Sequence, residues 1–326
     1  MPVYVTHCDK NYAVRAAALV TSMRQNGCID LVCVVCHDEQ AKAVVDSLND
    51  TKLHSLMLSE VEAYFPDLRI AQTNRSKLEY LFCLTPYLIE YTFLLHSNEI
   101  VIYVDSDIYF FDSPTKALNS LCREADVAIV PHRFTEESKY REIYGKFNVG
   151  WMAFRPTDES RKVLNWWREK CFESTSCVVT DNSFADQKYL DQFTTISARI
   201  SIANNLGENA APWNCYSIDK IANARITIRN EELIYFHFSG LRMYPNCTVL
   251  GYAGYGKRPS RGVRSRIYKP YIKNLKHIED SLDFMPAQEP RSLMLREWIR
   301  TLYFSDIIFN KPRAVIRILG RQTKTC

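Results

Sequence analysis

Four short apolar runs, VYVTH, LVCVVC, KLHSLML and VIYV, begin at Val3, Leu31, Lys52 and Val101, and stretches of helical periodicity lie between them. Short runs rich in β-branched residues read as strands, and strands that alternate with helices wind into a βαβ sheet. YAVRAAALVTSMRQNG, closing at Gly27, predicts the first helix, and DEQAKAVVDSLND the second. Thr85 followed by Pro86 predicts an N-cap with proline in the first turn of a later helix. ADVAIV, FNVGWMAF and ELIYFHFSG predict further strands, SRKVLNWWREKCF an amphipathic helix, and DNSFADQKYLDQF a loop leading into a short helix. The expected class is α/β: a Rossmann-like mixed central sheet with helices on both faces and a basic, partly helical C-terminal extension. Open sheets of this kind place ligands beyond the carboxyl ends of their strands. There the first strand ends in Thr6-His7-Cys8-Asp9.

The fourth strand runs straight into Asp105-Ser106-Asp107. Carboxylates at the end of an apolar strand are costly to desolvate unless something positive meets them. Two hard oxygen ligands together with a diphosphate suit Mg²⁺ or Mn²⁺, and Mn²⁺ also accepts an imidazole. His237 in YFHFSG is the candidate imidazole. A surface turn also uses D-x-D, and a histidine in an apolar strand also serves as a satisfied core residue. Arg75 and Lys77 in NRSKLEY are placed to neutralise phosphate or pair with Asp105, or to be solvated.

A chain of 326 residues makes one large domain or two. Its formal net charge of +4 is local in origin: between Lys257 and Lys276 there are eight Lys and Arg and no acid. The composition shifts after Tyr255, which predicts a catalytic domain over 1–255 and an extension over 256–326. Further on, Leu295, Trp298, Ile299, Leu302 and Tyr303 fall at helical spacing beside Arg296 and Arg300. A helix lying on anionic lipid and a core-packed helix with a basic face both have this pattern. Nucleic acid is not an expected partner, because aromatic interleaving is confined to Tyr268 and Tyr271.

The eleven cysteines are scattered and mostly embedded in apolar runs, which fits a reducing cytosol. Cys33 and Cys36 form a C-x-x-C inside a strand-like run, with no second Cys or His pair at zinc spacing, and read as core residues. MPVYVTHCDK begins a strand and lacks the regions of a secretory leader. Leu81–Leu95 is too short to span a bilayer and carries Pro86 and Glu90.

Five marks occur in order: T-H-C-D-K-N-Y after the first strand, N-R-S-K, D-S-D, F-N-V-G-W-M-A-F-R followed by A-D-Q, and H-F-S-G. In this order they resemble the nucleotide-sugar glycosyltransferases of the GT-A fold, among them bacterial enzymes similar to glycosyltransferase family 8. The resemblance runs from about Val3 to Arg242. It implies that Asp9 and Tyr12, with Thr6 nearby, hold the nucleobase, and that Asp105 and Asp107, flanking Ser106, hold Mn²⁺ or Mg²⁺ with His237. It implies that Asn148 and Gly150 lie beneath the donor sugar, that Asp186 and Gln187 face it, and that Gly240 of H-x-x-G lies near the diphosphate. Family 8 members commonly follow H-x-x-G with lysine, proline and tryptophan; here Arg242 is the nearest cation and sits one place early. For the acceptor, Trp213 beside Asn214 suits stacking and hydrogen bonding to a sugar, and equally suits packing; His132 and Arg133 follow a strand and are open to the same two readings, facing donor or acceptor or packing.

The implied reaction moves a sugar from a UDP-sugar to a glycan or lipid-linked acceptor in bacterial surface polysaccharide assembly, in the cytoplasm and peripherally on the inner membrane. Retention of configuration is implied by the resemblance alone; inversion would need a base, with Asp186 or Asp191 the candidate. Two rivals remain. A sugar-phosphate nucleotidyltransferase would show a glycine-rich basic loop after the first strand, which THCDKNY lacks. A catalytically idle glycan-binding or scaffolding protein would keep the fold without turnover.

Overall fold

The computed structural model describes residues 1–219, 225–244, 247–282, 303 and 306–309. The first half alternates as β1 (Val3–Cys8), α1 (Ala13–Gln25), β2 (Leu31–Cys36), α2 (Glu39–Asp46) and β3 (Leu53–Met57). After α3 (Leu58–Tyr64) and α4 (Asp67–Asn74), the long α5 (Lys77–Leu95) leads into β4 (Val101–Val104), β5 (Ile108–Phe110) and α6 (Pro114–Leu118). Then follow β6 (Val127–Pro131), β7 (Phe147–Phe154), α7 (Asp158–Glu173), α8 (Phe193–Ile196) and β8 (Ile200–Ile202). Seven of these strands form one sheet in the order β3-β2-β1-β4-β7-β6-β8. The strands from β3 to β4 are parallel, while β7 runs antiparallel to both of its neighbours.

The pleat divides the apolar residues between two cores. Tyr4, Val32 and Val34 share one core with Ala17 and Val20 of α1 on one face, while Val5, Cys33 and Val35 share the other with Leu84 and Leu88 of α5 and Trp167 of α7. Four buried alanines, Ala13, Ala16, Ala17 and Ala18, let α1 lie close on the sheet.

The helix expected to begin at Thr85 begins nine residues earlier. Ser76 is its N-cap: Ser76 Oγ accepts from the Glu79 amide at 3.3 Å, and Glu79 Oε2 accepts from the Ser76 amide at 3.1 Å. This reciprocal pair satisfies two of the exposed donors at the helix start, and Pro86 is left in the helix interior. ELIYFHFSG is likewise two strands. After β9 (Thr227–Ile228) come β10 (Glu231–Glu232) and β11 (Tyr235–His237), because the Leu233 and Ile234 amides between them bond to the carbonyls of Ile226 and Gly207.

The remaining elements are β12 (Arg242–Met243), β13 (Cys247–Val249), α9 (Arg261–Val263), a π-helical turn at Arg264–Tyr268, α10 (Lys269–Ser281) and β14 (Ile307–Phe309). Tyr268, Tyr271 and Leu275 join the α1-side core, and the Tyr271 ring stacks on Phe238 with centroids 3.8 Å apart. The apolar face of α10 is therefore spent on the core, leaving Arg261, Arg266, Lys269 and Lys273 exposed. Leu295, Trp298, Ile299 and Leu302, with Arg296 and Arg300, lie outside the described residues. No described helix is long and apolar enough to cross a membrane.

Candidate active site

The D-S-D segment is a turn between β4 and β5, so strand alternation does not set its side chains. Strand pairing brings the histidine to it instead. β11 lies antiparallel to β5 with His237 opposite Ile108, and the Phe238 amide donates to the Asp107 carbonyl at 2.9 Å. His237 Nε2 consequently lies 3.1 Å from Asp107 Oδ1 and 3.6 Å from Asp105 Oδ2. Ligand atoms of the three residues lie within 4.8 Å of one another.

The other imidazole nitrogen is fixed from β7. Asn148 Oδ1 lies 3.2 Å from His237 Nδ1 and accepts from the Gly150 amide at 3.1 Å. An acceptor at Nδ1 makes that nitrogen the N–H and turns Nε2 toward the carboxylates. Gly150 makes room for this contact: a Cβ there would lie 2.6 Å from Asn148 Oδ1 and 2.8 Å from His237 Nδ1. The glycine expected beneath a donor sugar thus serves the approach of an imidazole.

Electrostatics match the geometry. Burial disfavours the imidazolium, yet the charge of Asp107, its hydrogen bond and the charge of Asp105 hold His237 above its ordinary pKa. Burial and the charge of Asp107 outweigh the help His237 gives Asp105, whose pKa is raised. For Asp107 burial works the other way from the outcome: His237 and the Arg15 guanidinium hold its pKa low. A proton or a divalent cation at Nε2 satisfies the same two carboxylates. Two oxygen donors and an oriented nitrogen fit Mn²⁺ or Mg²⁺ in donor type.

These residues border a cleft of about 580 Å³ at the carboxyl ends of β1, β2 and β4. Asp9, Tyr12, Lys77, Ser106, Gln187 and Asp186 line it together with the Asp pair, Asn148 and His237. At its mouth Lys77 Nζ pairs with Asp9 Oδ2 at 2.8 Å. Tyr12 is the N-cap of α1, and the Arg15 guanidinium lies 4.2 Å from the centre of its ring. Asp186 is buried, accepts from Thr85 Oγ1 at 3.0 Å, and is pushed up to about 7 by burial and the charge of Asp105. Gln187 Nε2 donates to the Tyr144 carbonyl at 2.9 Å.

Several expected residues lie elsewhere. Thr6 is buried in β1 on the face of Tyr4 and Cys8, away from the cleft lining. Arg75 donates to the Cys171 and Phe172 carbonyls at the end of α7, where a cation meets the exposed carbonyls of a helix C-terminus. Gly240, with φ +74°, lines a separate cavity with Arg141, Arg242 and Asp306.

Arg133 donates to the Glu208 and Ala203 carbonyls at 2.7 and 2.8 Å. Trp213, for which sugar stacking and packing were both open, is 3% exposed; its Nε1 donates to the His132 carbonyl at 2.8 Å, and its ring meets His237 edge-on at 5.3 Å. Asn214 is occupied with the His132 and Asn209 carbonyls and the Ala211 amide. His132 is buried, stacked on Phe134. Trp213 and His132 back the site through His237 and Asn148, while Arg133 and Asn214 are engaged with backbone groups. Asp191 is held by the Lys146 amide at 2.8 Å and by Lys188 Nζ at 3.0 Å.

His7, expected at the crevice only as part of the end of β1, is joined there by His37, Tyr103 and Thr85, which the sequence did not mark as cleft residues. His7 and His37 stack at 5.1 Å with Nδ1 of one 2.9 Å from Nε2 of the other. Burial holds both neutral, His7 at about 3 with help from His37, and His37 at about 4. Tyr103 donates to Asp105 Oδ1 at 2.9 Å, and Thr85 holds Asp186.

Residues 91–203 match the family model described as nucleotide-diphospho-sugar transferase. The chain is 26% identical over 253 residues to YfnF of Bacillus subtilis (strain 168), covering 74% of this chain and 82% of that protein. To YfnD of the same organism it is 24% identical over 291 residues, covering 86% and 90%. Both relatives are uncharacterized proteins. Among solved structures, the galactosyltransferase LgtC in complex with donor and acceptor sugar analogs superposes with TM-score 0.51 at 14% identity, covering 92% of this chain and 100% of that one. The bifunctional glycosyltransferase WbbM gives 0.50 at 14%, covering 86% of this chain; this chain spans about half, 51%, of WbbM. The two likenesses establish the fold as that of the GT-A glycosyltransferases.

Proposed function

We propose that this chain, a glycosyltransferase of the GT-A fold, transfers a sugar from a nucleoside-diphosphate donor, in the first instance a UDP-sugar, to a glycan or lipid-linked acceptor of a bacterial surface polysaccharide, with Mn²⁺ or Mg²⁺. The observation that carries this reading is the convergence of Asp105, Asp107 and an Asn148-oriented His237 on the edge of a cleft that also holds Asp9 and Asp186. Asp105, Asp107 and His237 would hold the cation, which when bound offsets the charge that develops on the departing diphosphate.

The chain's own residues have distinct tasks in this scheme. Asp9, held by Lys77, and Tyr12 bind the nucleoside end. Asp186 and Gln187 bind donor hydroxyls and orient the anomeric carbon. Trp213 and Asn148 keep the imidazole from rotating. In the retaining course, the bond from the anomeric carbon to the diphosphate oxygen breaks and the acceptor oxygen bonds to the same face. The acceptor proton passes to the departing diphosphate. In an inverting course Asp186 is the base of choice, since it lines the cleft and Asp191 is tied to Lys188.

The exposed cations Arg261, Arg266, Lys269 and Lys273 support peripheral contact with an anionic membrane surface, and we place the enzyme in the cytoplasm at that membrane. A screen of UDP-sugars with Mn²⁺, reading UDP release with and without glycan acceptors, tests the reading. Donor-specific release supports it; no release and no nucleotide binding with any donor would leave the idle glycan-binding protein standing.

A further inference from the structure

A second group of metal-ligating side chains lies by the C-terminal end of α5, whose N-terminal half lines the cleft. Cys33 of β2 and His54 of the edge strand β3 are register partners in parallel strands, so they share a face of the sheet. His96 is the C-cap of α5, the helix that covers this face. The chain thus brings three ligands from three elements to one point, and the Cys33 Sγ and one nitrogen of each imidazole lie within 4.8 Å of one another. Sequence spacing could not show this: 21 and 42 residues separate the positions, and the adjacency arises from strand pairing and the length of α5.

The arrangement is graded from inside to outside. Cys33 is 0% exposed and belongs to the core beneath α5; His96 is half-buried and His54 exposed. None of the three side chains has a hydrogen-bond or salt-bridge partner among the described residues. The group thus runs from a buried thiol to an imidazole open to solvent.

We propose that Cys33, His54 and His96 form a zinc site that ties β2 and β3 to the end of α5. A thiolate and two imidazoles are a borderline-soft donor set suited to Zn²⁺ and unsuited to Mn²⁺ or Mg²⁺, which the Asp105, Asp107 and His237 set favours. The two sites therefore sort metals by donor type. Binding releases the Cys33 proton to solvent, and the sulfur lone pair forms the bond to the ion. The role assigned is structural, and it is independent of the reading of the cleft.

The test uses the full-length chain freed of metal by a chelator and titrated with Co²⁺, then Zn²⁺. One equivalent of Co²⁺ should give tetrahedral ligand-field bands and a thiolate-to-cobalt charge-transfer band, both erased by Zn²⁺, and Zn²⁺ should raise the unfolding temperature. The bands should be lost in Cys33→Ser and in His54→Gln, and kept in Asp107→Ala. His54 is exposed, so His54→Gln remains informative if Cys33→Ser fails to fold. Absence of a thiolate band in the wild type, or its persistence in His54→Gln, overturns the proposal.

Discussion

Asn148 Oδ1 lies 3.2 Å from His237 Nδ1, and this contact decides which imidazole nitrogen faces Asp105 and Asp107. It exists because residue 150 has no side chain, since a Cβ there would lie 2.6 Å from Asn148 Oδ1. Gly150→Ala should therefore weaken Mn²⁺ binding by at least about tenfold, the scale seen when a supporting partner of a metal ligand is lost. Calorimetric titration measures it, with circular dichroism to verify the fold. Unchanged affinity would mean that the contact does not position the imidazole.

Asp186 reaches the cleft with its carboxylate held by Thr85. Asp186→Asn preserves size and removes the charge that accepts donor hydroxyls. We expect kcat for UDP release to fall about 10²-fold, on the scale of losing one preorganised polar contact at a reacting centre. A variant with wild-type kcat removes Asp186 from the site.

The placement of the strands was legible in the sequence because β-branched runs and helical periodicity are local signals. The start of α5 was legible too, in Ser76 and Glu79, but the Thr85-Pro86 pair is the louder feature and points to the wrong residue. Proline is tolerated inside α5, whose Tyr80, Leu84 and Leu88 are buried against the sheet and α7 side. Asp105, Asp107 and His237 were found because unusual chemistry marks each of them. His37 and its pairing with His7 were missed because only the pairing of Cys8 with Cys36 makes the two histidines neighbours. Arg75, Arg133 and Trp213 were left open between two readings for a common reason: cations and indoles suit ligands and buried backbone carbonyls equally, and burial alone decides.

Glu208 is buried with both carboxylate oxygens near Ser120 Oγ, at 2.9 and 2.8 Å, and burial pushes it up to about 7. The folded chain thus retains a proton that the unfolded chain releases near the ordinary glutamate value. Its contribution is full below about pH 4.3 and is lost as pH rises through about 7. Denaturant midpoints across this range should show Glu208→Gln with a flatter decline than the wild type. The difference should be up to about 4 kcal/mol, since each tenfold change in proton affinity is worth about 1.36 kcal/mol. Parallel profiles would show that Glu208 ionises normally.

The exposed cations near α10 should hold the chain on anionic vesicles through charge alone, since the apolar face of that helix is packed on the core. Sedimentation with phosphatidylglycerol vesicles should fall steeply as salt rises from about 0.05 to 0.3 M, where screening shortens to less than about 10 Å. It should fall further in a variant with Arg266, Lys269 and Lys273 changed to Gln. Binding that resists salt, or that the variant retains, contradicts charge as the means of contact.

The central claim is that Asp105, Asp107 and His237 together bind the cation that receives a nucleoside diphosphate. Its most direct test is calorimetric titration of Mn²⁺ in the presence of UDP, comparing the wild type with Asp107→Ala and His237→Ala. We predict one Mn²⁺ per chain at the cleft, with affinity reduced at least about 10²-fold in either variant, a loss of about 2.7 kcal/mol. Binding of Mn²⁺ and UDP at wild-type strength in both variants would contradict the account.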